Sequence, residues 1–75
     1  MRIKFSRHAK RRADLYKIPE STILDILRGK EIGTGTHEII QKVDGFNYPL
    51  KIVITREDDI ITIITNYPLK KEGKS

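Results

Sequence analysis

The chain has 75 residues, 37% hydrophobic and 33% charged, with 15 Lys and Arg against 10 Asp and Glu and a formal net charge of +5. This length holds a single core and buries only about 60% of its unfolded surface, so a second domain is excluded. There is no cysteine, which excludes a disulfide framework and thiolate metal sites, and no apolar run reaches membrane-spanning length.

Arg2 to Phe5 alternates polar and apolar residues and reads as a first strand. Ser6 is a favoured N-cap for a helix from Arg7 to about Lys17. At about 100° per residue, Ala9, Ala13 and Tyr16 share its inner stripe, which assigns Tyr16 to the core. His8 and Arg12 lie along the edge of that stripe, while Lys10, Arg11 and Asp14 lie opposite.

Ile18-Pro19-Glu20 opens a second helix, with Pro19 near the first helical position and Gly29 as its stop. Ile23, Leu24, Ile26 and Leu27 form its apolar face. From Glu31 the period changes to two, giving a second strand over 34–43, an Asp44-Gly45 hairpin signal and a third strand over 48–55. In the third strand Tyr48, Leu50, Ile52 and Ile54 share one face. After a Glu57-Asp58-Asp59 turn, "IITIITNY" (60–67) is apolar on both faces and is expected at the centre of the sheet. The expected fold is α+β in the order β-α-α-β-β-β. It is an antiparallel sheet with two N-terminal helices on one face, in one domain over 1–68 with a flexible tail at 69–75.

The positive charge is local. Arg2, Lys4, Arg7, Lys10, Arg11 and Arg12 all precede Asp14, the first acidic residue. Such a cluster either forms a solvated face or binds phosphates, which makes Arg7, Lys10 and Arg11 the candidate nucleic-acid-binding residues. "IKFSRHAKRR", "IPESTILDIL" and "LKIVITREDDIITIITNYP" resemble a small prokaryotic family known as domain of unknown function 4258. The resemblance spans Ile3 to Pro68 and is carried most specifically by Phe5, Ser6, His8, Ala9 and Arg12, then by Ile64, Thr65, Tyr67 and Pro68. Where that family often has a second arginine and a following glycine, this chain has Tyr16 and Lys17. Element order and size are also similar to the RelE/ParE-like toxins. That likeness implies a metal-independent endoribonuclease neutralised by an antitoxin.

His8 and Arg12, four residues apart, lie on one side of a helix. An imidazole exchanges protons near neutral pH, and a guanidinium holds phosphate bidentately. With Lys51 and Tyr67 they form the candidate catalytic set. The plainer readings are that His8 bonds a neighbouring strand and that Arg12 pairs with Asp58 or Glu38. His37 is a lesser acid-base candidate. Two histidines without converging carboxylates do not make a zinc site, and "GTGT" opens a strand rather than a phosphate loop, so no metal or cofactor is expected.

Three readings follow: an RNA-cleaving toxin relative, a non-catalytic nucleic-acid- or protein-binding module, or a docking site for an acidic protein. The opening Met-Arg-Ile-Lys has no apolar leader core, so the expected location is the cytoplasm, with no membrane partner.

Overall fold

A computed structural model describes residues 2–69. Six elements follow in order: β1 (Arg2–Phe5), α1 (Arg7–Tyr16), α2 (Glu20–Arg28), β2 (Gly35–Gln41), β3 (Leu50–Glu57) and β4 (Ile60–Pro68). The class is α+β with both helices ahead of the β2–β4 meander, as the sequence pattern requires. The sheet order is β1-β4-β3-β2, so β4, apolar on both faces, is central.

The sheet is mixed rather than wholly antiparallel. The β2–β3 and β3–β4 pairs are antiparallel, but β1 runs parallel to β4, with Arg2 opposite Ile60 and Phe5 opposite Ile63. The two helices carry the chain from β1 to the far edge of the sheet. The meander then returns towards β1, and β1 and β4 meet pointing the same way.

Ser6 starts α1 as expected, its Oγ accepting from the Ala9 N–H at 3.0 Å. Ala9 and Ala13 are buried without bulk between helix and sheet, which lets α1 pack closely along β4. Tyr16, expected in the core, is 36% exposed. The helix ends at Lys17, which takes a left-handed conformation (φ 57°), and the tyrosine one residue earlier sits at the rim. Pro19 is the N-cap of α2 rather than its first helical residue.

The core joins Ala9, Ala13, Ile18, Ile23 and Leu27 to Leu50, Ile52 and Ile54 of β3 and Ile61 and Ile63 of β4. Both helices therefore cover one face of the sheet. Tyr48 does not share the inward face of β3: it lies before the strand and is 38% exposed. Asp44-Gly45 does turn, with the Phe46 N–H bonded to the Val43 carbonyl and Gly45 at φ 91°. The turn sits within a longer connection from β2 to β3, not a two-residue hairpin.

Beyond β4, Leu69 donates its N–H to the Pro49 carbonyl at 2.7 Å, so the described chain is still anchored there. The rest of the expected tail lies outside the described residues.

Candidate nucleic-acid interface

The decisive local feature is a bulge in β4. Ile54 pairs with Ile63, but Val53 pairs with Thr65, so Ile64 has no counterpart on β3. One extra residue reverses the alternation beyond it. Ile61 and Ile63 face the helices, and past the bulge it is Asn66, not Thr65, that does so. Asn66 is fully buried and its Nδ2 donates to the Ala9 carbonyl at 3.2 Å. Tyr67 is thereby delivered to the opposite face, directly across from Lys51.

β1 stops at Phe5, opposite Ile63, so among the described residues the C-terminal half of β4 has no strand on that side. α1 takes its place. The Ser6 N–H donates to the Ile63 carbonyl at 3.0 Å, and Ser6 Oγ donates to the Ile64 carbonyl at 2.9 Å, fastening the start of α1 to the bulge. The flank of α1 carrying Arg12 then runs beside β4. The Arg12 guanidinium carbon lies 6.0 Å from the centre of the half-buried Tyr67 ring, a cation–π contact of about 0.5–1 kcal/mol.

Three of the four candidate catalytic residues are therefore contiguous: Arg12 against Tyr67, and Tyr67 across from Lys51. His8, one helical turn before Arg12, is exposed on the same flank and has no hydrogen-bond or acidic partner among the described residues. The reading in which His8 braces a neighbouring strand is not what the structure contains; Ser6 does that work.

Arg12 pairs with neither Asp58 nor Glu38. Glu38 instead meets Lys51, Oε1 to Nζ at 3.4 Å, with Lys51 the less exposed partner. Part of the Lys51 charge is thus balanced within the sheet, while Arg12 has no ion-pair partner among the described residues. Arg7, Lys10 and Arg11 are all exposed along α1, and none has an ion-pair partner among the described residues. Asp14 is the only acid on that helix.

His37 belongs elsewhere. It projects from the helix-covered face of β2, and its Nε2 is 2.9 Å from the Gly33 carbonyl. Arg56, which the sequence did not single out, bonds the carbonyls of Ile32 and Asp58 through two different nitrogens. Together these side chains pin the loop between α2 and β2. An Arg at the end of a strand carries no signal of such a role, because the carbonyl that ties it to this loop belongs to Ile32, 24 residues away.

A cleft of about 670 Å³ lies beside this loop, between Leu27, Ile32, Arg56 and Ile61. It is not at the Arg12–Tyr67 cluster, whose side chains are half-buried. No group of acidic, histidine or cysteine side chains among the described residues is arranged to hold a metal ion. No helix among them is long and apolar enough to cross a membrane. No family model, curated protein or solved structure matches the chain.

Proposed function

We propose that this domain binds single-stranded RNA along α1 and across the adjoining end of β4. The observation that carries this reading is the Arg12 guanidinium over Tyr67, on the same helix as Arg7, Lys10 and Arg11, which are exposed and without an ion-pair partner among the described residues. Guanidinium and ammonium groups neutralise phosphates, and an aromatic ring beside the helix offers a face on which a base stacks. Single strands fit better than duplex because an unpaired base is free to reach that ring.

The binding test is a salt titration. Four phosphate contacts through Arg7, Lys10, Arg11 and Arg12 give a slope of about −2.8 in log K against log salt for a single strand. Replacing Arg7, Lys10 and Arg11 together by Gln lowers it to about −0.7. Fluorescence anisotropy on a labelled 12-nucleotide RNA reads both values. An unchanged slope in the triple variant refutes the surface assignment.

A second reading, metal-independent cleavage in the manner of the RelE/ParE-like toxins, is favoured by one observation: an exposed, unpartnered His8 one turn from Arg12. His8 takes the proton of the ribose 2′-hydroxyl, the 2′ oxygen bonds phosphorus and the bond to the 5′ oxygen breaks. The products are a 2′,3′-cyclic phosphate and, with a proton from solvent, a 5′-hydroxyl. Arg12 offsets the charge developing on the phosphate. The Glu38 contact reduces what Lys51 adds to such a step. RNA incubated with the domain and a chelator, analysed for cyclic-phosphate ends, decides the matter: cutting that survives His8→Ala removes His8 from the chemistry. Under this reading the same basic surface would also meet an acidic antitoxin.

A further inference from the structure

The sheet has two edges, and they differ. β1 is four residues long and carries Arg2 and Lys4, charges of the kind that guard an edge against pairing. β2 is seven residues long, has β3 on one side only among the described residues, and contains neither proline nor lysine. Its single charge is Glu38. Ile40, on the uncovered face of β2, is 56% exposed. Unpaired backbone and an exposed β-branched side chain together form a template for another strand.

We propose that the partner is a second copy of this chain, joined by antiparallel β2–β2 pairing about a two-fold axis at Ile40. The register follows from charge. Centring the pair on residue 38 opposes Glu38 to itself, centring on 39 opposes Glu38 to Ile40, and centring on 41 opposes Glu38 to Asp44. Centring on Ile40 pairs residues 39–41 of the two strands, sets the two Ile40 side chains together and places Glu38 opposite the second copy's Lys42, the residue that follows β2, twice by symmetry. Opposite charges across a ladder are favourable and like charges are not.

The neighbouring surface agrees with a self-complementary contact. Between α2 and the end of β2 lies a groove of about 540 Å³, with Ile26 and Val43 as apolar lining and Asp25, Lys30, Lys42 and Asp44 beside them. Two acids and two bases cancel, so this end of the molecule suits a copy of itself rather than a polyanion. Pairing yields an eight-stranded sheet with an α1 helix at each far end, which leaves the proposed RNA surface free. A two-fold contact of this kind closes on itself and does not propagate.

The test exploits the absence of native cysteine. Residues directly opposite in an antiparallel pair have Cα atoms about 4.5–5.5 Å apart, inside the range of about 4.4–6.8 Å that a disulfide spans. In this register the two copies of residue 36 are about 27 Å apart. Full-length Ile40→Cys is expected to cross-link under mild oxidation about tenfold or more faster than Thr36→Cys.

Sedimentation equilibrium of the unmodified chain should report a dimer. Lys42→Glu, which leaves the Lys51 contact to Glu38 intact, should raise the dissociation constant about tenfold or more, and Ile40→Lys should do the same, with unchanged circular dichroism. A chain that stays monomeric up to about 1 mM overturns the proposal. So do equal cross-linking rates at the two positions, or a Lys42→Glu dimer as tight as the parent.

Discussion

Ser6 joins three parts of the molecule through one hydroxyl, and its replacement tests the local account of the fold. In Ser6→Ala the backbone bonds to Ile63 and from Lys10 remain, so only the side-chain contribution is lost. The Oγ that accepts from Ala9 at 3.0 Å is an N-cap worth about 1 kcal/mol. The Oγ–H that donates to Ile64 at 2.9 Å lies at an exposed site, where water replaces part of the bond and the loss is about 0.5–1 kcal/mol. The sum is about 1.5–2 kcal/mol. For a domain of this size that lowers the melting temperature by about 6–16 °C and, with an m-value of about 1 kcal/mol/M, the urea midpoint by about 1.5–2 M.

Two further variants separate the bonds. Thr keeps both and should stay within about 0.5 kcal/mol of the parent. An ionised Asp still accepts from Ala9 but has no O–H to give Ile64, so it should fall between Thr and Ala. Urea unfolding followed by circular dichroism measures all three. If Ser6→Ala lies within about 0.5 kcal/mol of the parent, the hydroxyl does not fasten α1 to β4, and the reasoning that places Arg12 beside Tyr67 loses its anchor.

Two other stability outcomes rest on single residues. Lys17 holds a left-handed conformation in which its Cβ is strained, so Lys17→Gly should stabilise the domain by about 1 kcal/mol in the same urea assay, against the usual direction of a glycine substitution. Asn66 is fully buried and donates to a carbonyl; Asn66→Asp replaces that donor with an uncompensated buried charge and should cost about 3 kcal/mol or more at neutral pH, read as a collapsed urea midpoint.

Local signals were strong enough to read the elements themselves. Ser6, the alanine pair, Pro19 and the period-two stretches each act within a few residues, and all six elements formed in the expected order, though β2 is shorter than expected and β3 begins and ends two residues later. What escaped was set by partners far away in sequence. A four-residue strand such as β1 does not encode whether its neighbour runs parallel, because that depends on where two helices and three strands leave the chain. Tyr16 fits the inner stripe of an ideal helix, yet a left-handed Lys17 ends α1 just beyond it and leaves the ring at the rim. The attachment of Lys51 to Glu38 arises only once β2 and β3 pair, since the two lie thirteen positions apart in the chain. His8 and Arg12 were legible as a pair because helical geometry alone puts them on one side.

The bulge at Ile64 shows why the candidate site resisted a purely periodic reading. Strict alternation from Ile61 and Ile63 would send Thr65 and Tyr67 inward with them, giving "IITIITNY" a polar inner end and leaving Asn66 outside. One unpaired residue reverses this. It places Asn66 beneath α1, where its amide holds the Ala9 carbonyl, and Tyr67 on the outer face across from Lys51. The bulge also falls where β1 ends, so the same carbonyls that leave the regular ladder become the acceptors for Ser6. Helix placement and ring placement are therefore one event. A strand without the extra residue would bury Tyr67 and separate it from Arg12, however the charges on α1 were arranged. The proposed RNA surface thus depends on a backbone irregularity more than on any of the side chains that would touch the ligand.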